Sequence, residues 1–310
     1  MGIVSYFYKK SLVCRYDKEV GFPYYSYNDF KGFKQDAFTF TNSKGIEIHY
    51  FYYYYDNYKD DKLILFCHGL CPGHTAYLAE IECLARRGYK ILTLDYTGCG
   101  ESKGKRLGSL NTPTRDVDEL LNYLKIDKPV VIMGHSLGGY TTLNLMNKRK
   151  DLQKAVILSG FLSIPLTLPT MIKSKFVVKR ILSYERKIEP NKSPLDNIEY
   201  LKTTKDRLFM IHSKDDQMIP YDVSLKVVEE MNNPNIKTLK YVGRKHNPNY
   251  TDDAINYMNE VFGQYYYLIK QKKLKTDAEK IEYFKNVSLA RLTKQDEKLF
   301  DEIQEFIEKK

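Results

Sequence analysis

The sequence lacks a run of apolar residues long enough to cross a bilayer, which takes about 20 residues. Its N-terminal segment, MGIVSYFYKKSLVCRY, also lacks the shape of a signal peptide, because neither a long apolar stretch nor a small-residue cleavage site follows the first charges. The five cysteines are odd in number and follow no regular spacing, which argues against a disulfide framework. These absences predict a cytoplasmic protein with reduced thiols.

Patterns typical of metal or nucleic-acid sites are also missing. Cys67, His68, Cys71 and His74 have side chains that can bind zinc, but no second ligand pair appears elsewhere in the sequence, so we expect neither a metal nor another cofactor. The formal net charge of +10 allows contact with nucleic acid or with an anionic membrane. Because no basic-aromatic binding motif accompanies the 27 tyrosines, we expect no nucleic-acid partner.

Between about residues 36 and 270, short apolar runs alternate with segments of helical pattern. The predicted strands are 37–40, 46–54, 62–67, 90–94, 129–133, 154–158, 207–211 and 236–242. The predicted helices are 75–87, 113–124, 137–149, 223–231 and 252–269. This alternation predicts an α/β fold with a mostly parallel central sheet that is flanked by helices on both faces.

Three segments fall outside this alternation and divide the chain. Residues 1–35 are predicted to be a tyrosine-rich, irregular N-terminal extension, and 36–160 with 206–270 form the α/β core. Residues 161–205 interrupt the core as a small helical cap. Residues 271–310 are predicted to form two amphipathic helices that pack on the outside of the domain, although binding of a partner is an alternative. The first helix carries Ile281, Phe284 and Val287, and the second carries Leu299, Ile303, Phe306 and Ile307, with Thr293 as its cap.

The predicted cap combines an apolar beginning with a basic remainder. Ile164, Leu166, Leu168, Met171 and Ile172 are candidates for an acyl pocket. The whole segment 161–205 has a net charge of +5 from nine basic and four acidic residues. A mobile lid that selects acyl substrates and touches anionic membranes is one interpretation. A solvated lid without charge preference is the other.

A serine in a glycine-rich turn is the strongest chemical signal in the sequence. The apolar run from Val130 leads into Gly134-His135-Ser136-Leu137-Gly138, and a helical segment follows. Glycines two residues before and after the serine allow a tight turn from strand to helix, which presents the hydroxyl at the helix N-terminus. Ser136 is therefore the candidate nucleophile.

A serine hydroxyl needs a general base, and the base needs an acid. Of the six histidines, His246 follows the last predicted strand in a loop that can reach over the sheet edge to a central serine. Asp216 is the favoured acid, because it follows a strand and stands four residues before Pro220; Asp215 is the alternative. The chain order Ser136, Asp216, His246 is one that strand–turn–helix serine enzymes use.

The stretch from about residue 37 to 268 resembles the α/β-hydrolase superfamily. The turn GHSLGG is similar to that of esterases, monoacylglycerol-lipase-like enzymes and thioesterases, and 65–70 resembles the oxyanion loop of the family. This resemblance implies that the backbone N–H groups of Leu70 and Leu137 stabilise an oxyanion. The segment from Asp95 to Ser102 resembles a structural turn of the superfamily, with Thr97 where arginine is usual.

The resemblance implies a serine hydrolase, with a lipase-like or carboxylesterase activity. We expect it to cleave carboxylic ester or thioester bonds of small or acyl-chain substrates through an acyl-enzyme. An acyltransferase on the same scaffold and a non-catalytic ligand-binding protein are the alternatives. The expected partners are a small-molecule ester or acyl substrate and, in peripheral contact, an anionic membrane.

Overall fold

A single eight-stranded sheet forms the centre of the protein in the computed structural model, which describes residues 3–126, 128–188 and 195–309. The strands are β1 (Lys34–Thr41), β2 (Glu47–Tyr54), β3 (Leu63–Cys67), β4 (Lys90–Leu94), β5 (Val130–His135), β6 (Lys154–Leu158), β7 (Arg207–Ser213) and β8 (Ile236–Tyr241). Their order across the sheet is β1-β2-β4-β3-β5-β6-β7-β8. Strand β2 is antiparallel to both of its neighbours, and the other pairs are parallel. The predicted mostly parallel sheet is therefore confirmed.

Helices cover both faces of this sheet. Those in the described residues are α1 (Ile3–Ser11), α2 (Leu78–Ala85), α3 (Thr112–Leu124), α4 (Leu137–Lys148), α5 (Ile164–Met171), α6 (Lys175–Ile188), α7 (Ile198–Thr203), α8 (Leu225–Met231), α9 (Asp252–Lys270), α10 (Asp277–Phe284), α11 (Leu289–Leu292) and α12 (Glu297–Glu308). Successive side chains of β3 point to opposite faces of the sheet. Leu63 and Leu65 therefore join the hydrophobic core on one face, and Ile64 and Phe66 join the core on the other. Within the described part of the chain, no helix is both long and apolar enough to cross a bilayer.

The segment predicted as the cap, residues 161–205, contains α5, α6 and α7 in its described part, and the name cap is used below for α5 and α6. The hydroxyl of Ser163 accepts a hydrogen bond from the amide of Leu166 and so caps the start of α5. The basic side chains of α6 and the residues before it are largely exposed: Lys173, Lys175, Lys179, Arg180, Arg186 and Lys187. Glu189 and Lys192, which contribute to the charge predicted for this segment, lie outside the described residues.

The N-terminal extension is not wholly irregular, contrary to the prediction, because it contains α1. Ile3, Val4, Phe7 and Tyr8 recur at helical spacing and form an apolar side of this helix. Tyr8 is buried, and its ring meets that of Tyr184 on α6 edge-on at 5.8 Å. The extension therefore packs against the cap.

The C-terminal segment differs in detail from the predicted helix pair. Val287 lies between α10 and α11 rather than on a helix, and Asp296, not Thr293, caps α12 by accepting the amides of Lys298 and Leu299. The apolar side of α12 packs onto one face of the sheet, where the ring of Phe306 lies 5.5 Å from that of Phe209. Helices α10 and α11 pack instead against α9.

Candidate active site

Ser136 lies in the sharp turn between β5 and α4. Its backbone has φ 56° and ψ −119°, and a positive φ is uncommon for a residue other than glycine. A Cβ atom at Gly134 would clash with the backbone of Gly138, and one at Gly138 would clash with the carbonyl oxygen of Cys67. Glycine at both positions therefore allows the close approach that holds Ser136 at the N-terminus of α4.

His246 and Asp216 meet beyond the ends of β8 and β7. The Nδ1 atom of His246 is 2.8 Å from Oδ2 of Asp216. The other carboxylate oxygen, Oδ1, accepts the amides of Met218 at 2.8 Å and Ile219 at 2.9 Å. Because the carboxylate accepts the proton on Nδ1, the neutral imidazole has its free lone pair on Nε2, as a general base requires.

A second histidine contacts Asp216, and this contact was not predicted. The Nε2 atom of His212 is 3.2 Å from Oδ2 of Asp216 and 2.8 Å from the carbonyl oxygen of Ile219. Burial acts to raise the pKa of Asp216, but hydrogen bonds from His212 and His246 outweigh burial and hold the pKa well below its usual range. Asp216 is therefore ionised at neutral pH. The available signal was the position of His212 at the end of a strand, four residues before Asp216.

Asp215, the alternative acid, has different partners. Its Oδ1 accepts hydrogen bonds from the hydroxyl of Ser213 at 2.6 Å and from the amide of Gly243 at 2.9 Å. These bonds connect the end of β7 with the turn after β8. Since no hydrogen bond joins Asp215 to His246 in the described residues, the geometry favours Asp216 as the partner of the histidine.

His135 connects the serine turn with the loop that carries His246. Its Nε2 is 2.8 Å from the carbonyl oxygen of His246, and its Nδ1 is 2.7 Å from the hydroxyl of Tyr77. A carbonyl can only accept, so Nε2 carries the proton and Nδ1 accepts a hydrogen bond from Tyr77. Burial lowers the pKa of His135 to about 3, which keeps the ring neutral and this pattern intact at neutral pH.

Leu70 and Leu137, whose backbone amides are the predicted oxyanion donors, line the same cavity as Ser136. Within the described residues, neither amide donates a hydrogen bond to the protein. Leu137 is the first residue of α4, where the N–H groups have no partner inside the helix. Two available donors beside a serine have the chemistry to stabilise an oxyanion.

The cavity at Ser136 is small and almost entirely apolar. It has a volume of about 80 Å³ and is lined by Leu12, Leu70, Leu110, Ser136, Leu137, Phe161, Ile164, Thr167, Leu168, Met171, Met218 and Ile219. Three of the five residues predicted for an acyl pocket line it, namely Ile164, Leu168 and Met171. Leu166 and Ile172 are not among its lining residues. Leu12 from the N-terminal extension lines it and was not predicted.

The residues considered as zinc ligands make other contacts. His74 is buried, and its Nδ1 is 2.8 Å from Oδ1 of Asp95. His68 stacks on the ring of Tyr96 at 3.9 Å. In the described residues, no group of three or more histidine, cysteine or acidic side chains is arranged to hold a metal ion.

The turn that starts at Asp95 is organised by that carboxylate. Besides His74, Asp95 accepts the amide of Glu101 at 2.8 Å. Thr97 stands where the α/β-hydrolase superfamily usually has arginine, and its hydroxyl accepts a hydrogen bond from the guanidinium of Arg115 at 3.2 Å. Arg115 thus brings a guanidinium to this turn from the start of α3.

Comparisons with known proteins agree with this architecture. A family model described as serine aminopeptidase, S33, matches residues 58–194. An esterase of Pyrococcus furiosus, Pf2001, has a similar structure with a TM-score of 0.58 and 18% sequence identity, over 84% of this chain and 97% of the esterase. The α/β-hydrolase fold that the motifs imply is thereby confirmed.

Curated relatives match over shorter stretches. An epoxide hydrolase of Caballeronia sordidicola is 34% identical over 96 residues, which cover 30% of this chain and 29% of that enzyme. A lysophosphatidylserine lipase, ABHD12 of Bos taurus, is 27% identical over 179 residues, which cover 53% of this chain and 44% of the lipase. The chain thus spans less than half the length of each of these two relatives. It is an α/β-hydrolase-fold protein that is similar to esterases and lipases.

Proposed function

We propose that this protein is a serine hydrolase that cleaves carboxylic ester or thioester bonds through an acyl-enzyme on Ser136. The observation that carries the proposal is the 2.8 Å contact between His246 and Asp216, in a loop that is hydrogen-bonded to the residue preceding Ser136. A nucleophile, a base and an orienting acid are the three groups that two-step acyl transfer needs.

The proposed reaction begins when Nε2 of His246 takes the hydroxyl proton of Ser136 as its oxygen attacks the substrate carbonyl. The resulting oxyanion accepts hydrogen bonds from the amides of Leu70 and Leu137, while ionised Asp216 stabilises the imidazolium. His246 then gives its proton to the departing alcohol or thiol. His246 then takes a proton from water as the water oxygen attacks the acyl-enzyme. It returns this proton to Oγ of Ser136 as the bond to the acyl group breaks, which releases the acid product and the free serine.

Hydrolysis of p-nitrophenyl esters and of acyl-coenzyme A thioesters tests this proposal directly. We expect the wild-type protein to release p-nitrophenol or free thiol, and Ser136→Ala to lose this activity while it keeps its circular dichroism spectrum. Release of product by the folded alanine variant at the wild-type rate would contradict the proposal. Because the matching family model is named for an aminopeptidase, an amino-acid p-nitroanilide belongs in the same panel.

An acyltransferase on this scaffold would share the acyl-enzyme but resolve it with an alcohol. Product analysis with added glycerol distinguishes the two enzymes, since a transferase forms a new ester and a hydrolase forms the free acid. A non-catalytic ligand-binding protein would form neither product. The apolar cavity at Ser136 supports an acyl ligand in all three cases.

The cap supports peripheral contact with an anionic membrane as a second part of the proposal. Phe176 and Met171 are more than half exposed. Six exposed cations lie in the same stretch of the chain: Lys173, Lys175, Lys179, Arg180, Arg186 and Lys187. Each cation near an anionic surface contributes about 1 kcal/mol, which salt screens. Co-sedimentation with phosphatidylserine vesicles, but not with phosphatidylcholine vesicles, is expected at low salt. Equal binding to both would contradict this contact. The cytoplasmic location expected from the sequence stays a prediction.

A further inference from the structure

A second, larger cavity lies between α1 and the cap. Its volume is about 500 Å³, within the range of roughly 300 to 1,000 Å³ that is common for small-molecule sites. Ile3, Val4 and Phe7 form part of the wall on α1, and Ile172, Val177 and Ile181 form part of the wall on the cap. We call this cavity the α1–cap groove.

The groove adjoins the cavity at Ser136. Leu12, Leu168 and Met171 line both cavities, so these three side chains stand between the candidate nucleophile and the groove. Leu168 is buried and Leu12 is partly buried, whereas the side chain of Met171 is 52% exposed. Methionine is unbranched and flexible, which suits a position that a ligand must pass.

The groove offers almost no polar partner to a ligand. Its two hydroxyl-bearing side chains, Ser11 and Tyr8, donate to other acceptors: Ser11 to the carbonyl oxygen of Phe7 at 2.9 Å, and Tyr8 to the carboxylate of Glu185 at 2.7 Å. The remaining lining side chains are hydrocarbon, thioether or aromatic. A ligand that gains from this site is therefore itself apolar, because burial of an unpaired polar group costs free energy.

We propose that the α1–cap groove binds the distal part of a long, unbranched acyl chain whose ester carbonyl lies at Ser136. This assignment deepens the proposed hydrolase function and rests on it for the position of the carbonyl. The small cavity at Ser136 takes the first carbons of the chain, and the groove takes those that follow. Helix α1, which lies before the α/β core in the sequence, thus becomes a determinant of substrate length.

The consequence is a preference among esters. Each methylene that leaves water for an apolar site gains enough free energy to raise kcat/KM by about fourfold. For butyrate, octanoate and dodecanoate p-nitrophenyl esters below their micelle concentrations, we expect kcat/KM to rise steadily with chain length. A cavity at Ser136 that ended at Leu168 would instead favour butyrate.

Two neighbouring substitutions on α1 provide a matched test. Val4→Asp places a carboxylate in the groove, whereas Ser5→Asp places one on the same helical turn at a residue that does not line the groove. Both carboxylates lie in the first turn of α1, where the helix dipole favours negative charge, so both variants keep the helix. We expect Val4→Asp to lower kcat/KM for the dodecanoate ester by about tenfold or more and to leave the butyrate ester unchanged. Ser5→Asp is expected to change neither.

Truncation gives an independent comparison. Phe7 lines the groove and Tyr6 does not, yet both are exposed aromatic residues of α1, at 62% and 53%. Phe7→Ala is expected to reduce the preference for dodecanoate over butyrate, and Tyr6→Ala is not. Equal chain-length profiles for the two members of each pair would overturn the assignment of the groove.

A binding measurement separates this assignment from the hydrolase proposal. In a Ser136→Ala background, we expect dansyl-labelled dodecanol to bind, and Val4→Asp, but not Ser5→Asp, to weaken binding by about tenfold or more. If the probe binds in this way but no ester is hydrolysed by the wild-type protein, the hydrolase proposal fails and the groove stands. If short esters are hydrolysed but the probe binds all three proteins alike or none of them, the groove assignment fails.

Discussion

The Nε2 atom of His135 lies 2.8 Å from the carbonyl oxygen of His246, so the residue before the candidate nucleophile holds the loop of the candidate base. Their rings are also close, with 4.8 Å between centroids. The carbonyl of His246 thus ties the loop after β8 to the turn after β5. The contact between His246 and Asp216 ties the same loop to the end of β7. This arrangement needs the proton of His135 on Nε2, and the hydroxyl of Tyr77 favours that tautomer by donating to Nδ1.

Tyr77→Phe is expected to lower kcat by about tenfold with little change in KM. Without the hydroxyl, Nδ1 of His135 loses its donor, and a tautomer with the proton on Nδ1 would present a lone pair to the carbonyl of His246. Tyr55→Phe is the control, because its hydroxyl donates to Glu82 and does not contact the site. Steady-state kinetics of the two purified variants test this role. Equal kcat values for both would show that the tautomer of His135 is unimportant.

Asp216→Asn is expected to reduce kcat by up to about ten-thousandfold, because an amide can hold His246 in the wrong tautomer. Asp215→Asn is the matched control on the adjacent residue, and we expect it to stay within about tenfold of wild type. Its amide oxygen can still accept from Ser213 and Gly243. Kinetics of folded variants decide between the two, and the opposite ranking would assign the acid role to Asp215.

Glu80 is expected to make stability depend on pH. It is buried on α2, its Oε1 accepts from Asn249 at 3.2 Å, and burial raises its pKa to about 7. When a carboxyl has a higher pKa in the folded than in the unfolded protein, the free energy of unfolding falls as the pH rises. The fall runs from the pKa of the unfolded state to that of the folded state. Above about pH 7 this cost is on the order of 3 kcal/mol.

Glu80→Gln should therefore raise the free energy of unfolding by up to about 3 kcal/mol at about pH 8, and by less than about 1 kcal/mol at about pH 5. Urea unfolding of both proteins at the two pH values provides the measurement. A difference of the same size at both would mean that Glu80 does not titrate in this range.

Glu185 is expected to hold the cap on the core. It is fully buried on α6 and accepts hydrogen bonds from Tyr8 at 2.7 Å, from Ser109 at 2.5 Å and from the amide of Leu110 at 3.2 Å. Glu185→Ala leaves these buried donors without their acceptor, at a cost of about 1–3 kcal/mol each. Relative to wild type, we expect Glu185→Ala to accelerate hydrogen exchange in α1 and α6 but not in β5. Glu199→Ala removes only an exposed pair with Lys202, so exchange in this control should match wild type; equal exchange in both variants would contradict the role of Glu185.

The sheet and the serine turn could be predicted because local sequence determines them. Strands β3 and β6, for example, are short runs of mainly apolar residues, and the turn at Ser136 needs glycine at positions 134 and 138 for steric reasons that the spacing of the motif expresses. Boundaries were less predictable. The helix predicted at 75–87 starts as a 3-10 turn at His74–Tyr77, and α2 occupies Leu78–Ala85.

Contacts between distant segments could not be predicted. The hydrogen bond of Tyr77 to His135 and that of His135 to His246 join residues 58 and 111 positions apart, and no sequence pattern marks either. Helix α1 was missed because its apolar side is partly tyrosine, a residue that also occurs throughout the irregular segment after it. Helix α1 packs against the cap, so the stability of this short helix depends on tertiary contacts that the local sequence does not reveal.

The most direct test of the central claim is the site of covalent labelling by a fluorophosphonate. Mass spectrometry of digested wild-type protein should find one phosphonyl group, on Ser136, because only a serine activated by a base attacks the reagent quickly. His246→Ala should slow labelling strongly, and Ser136→Ala should abolish it, with turnover lowered on the order of a millionfold. Labelling of a different residue, or a folded wild-type protein that does not react, would contradict the assignment of Ser136 as the nucleophile.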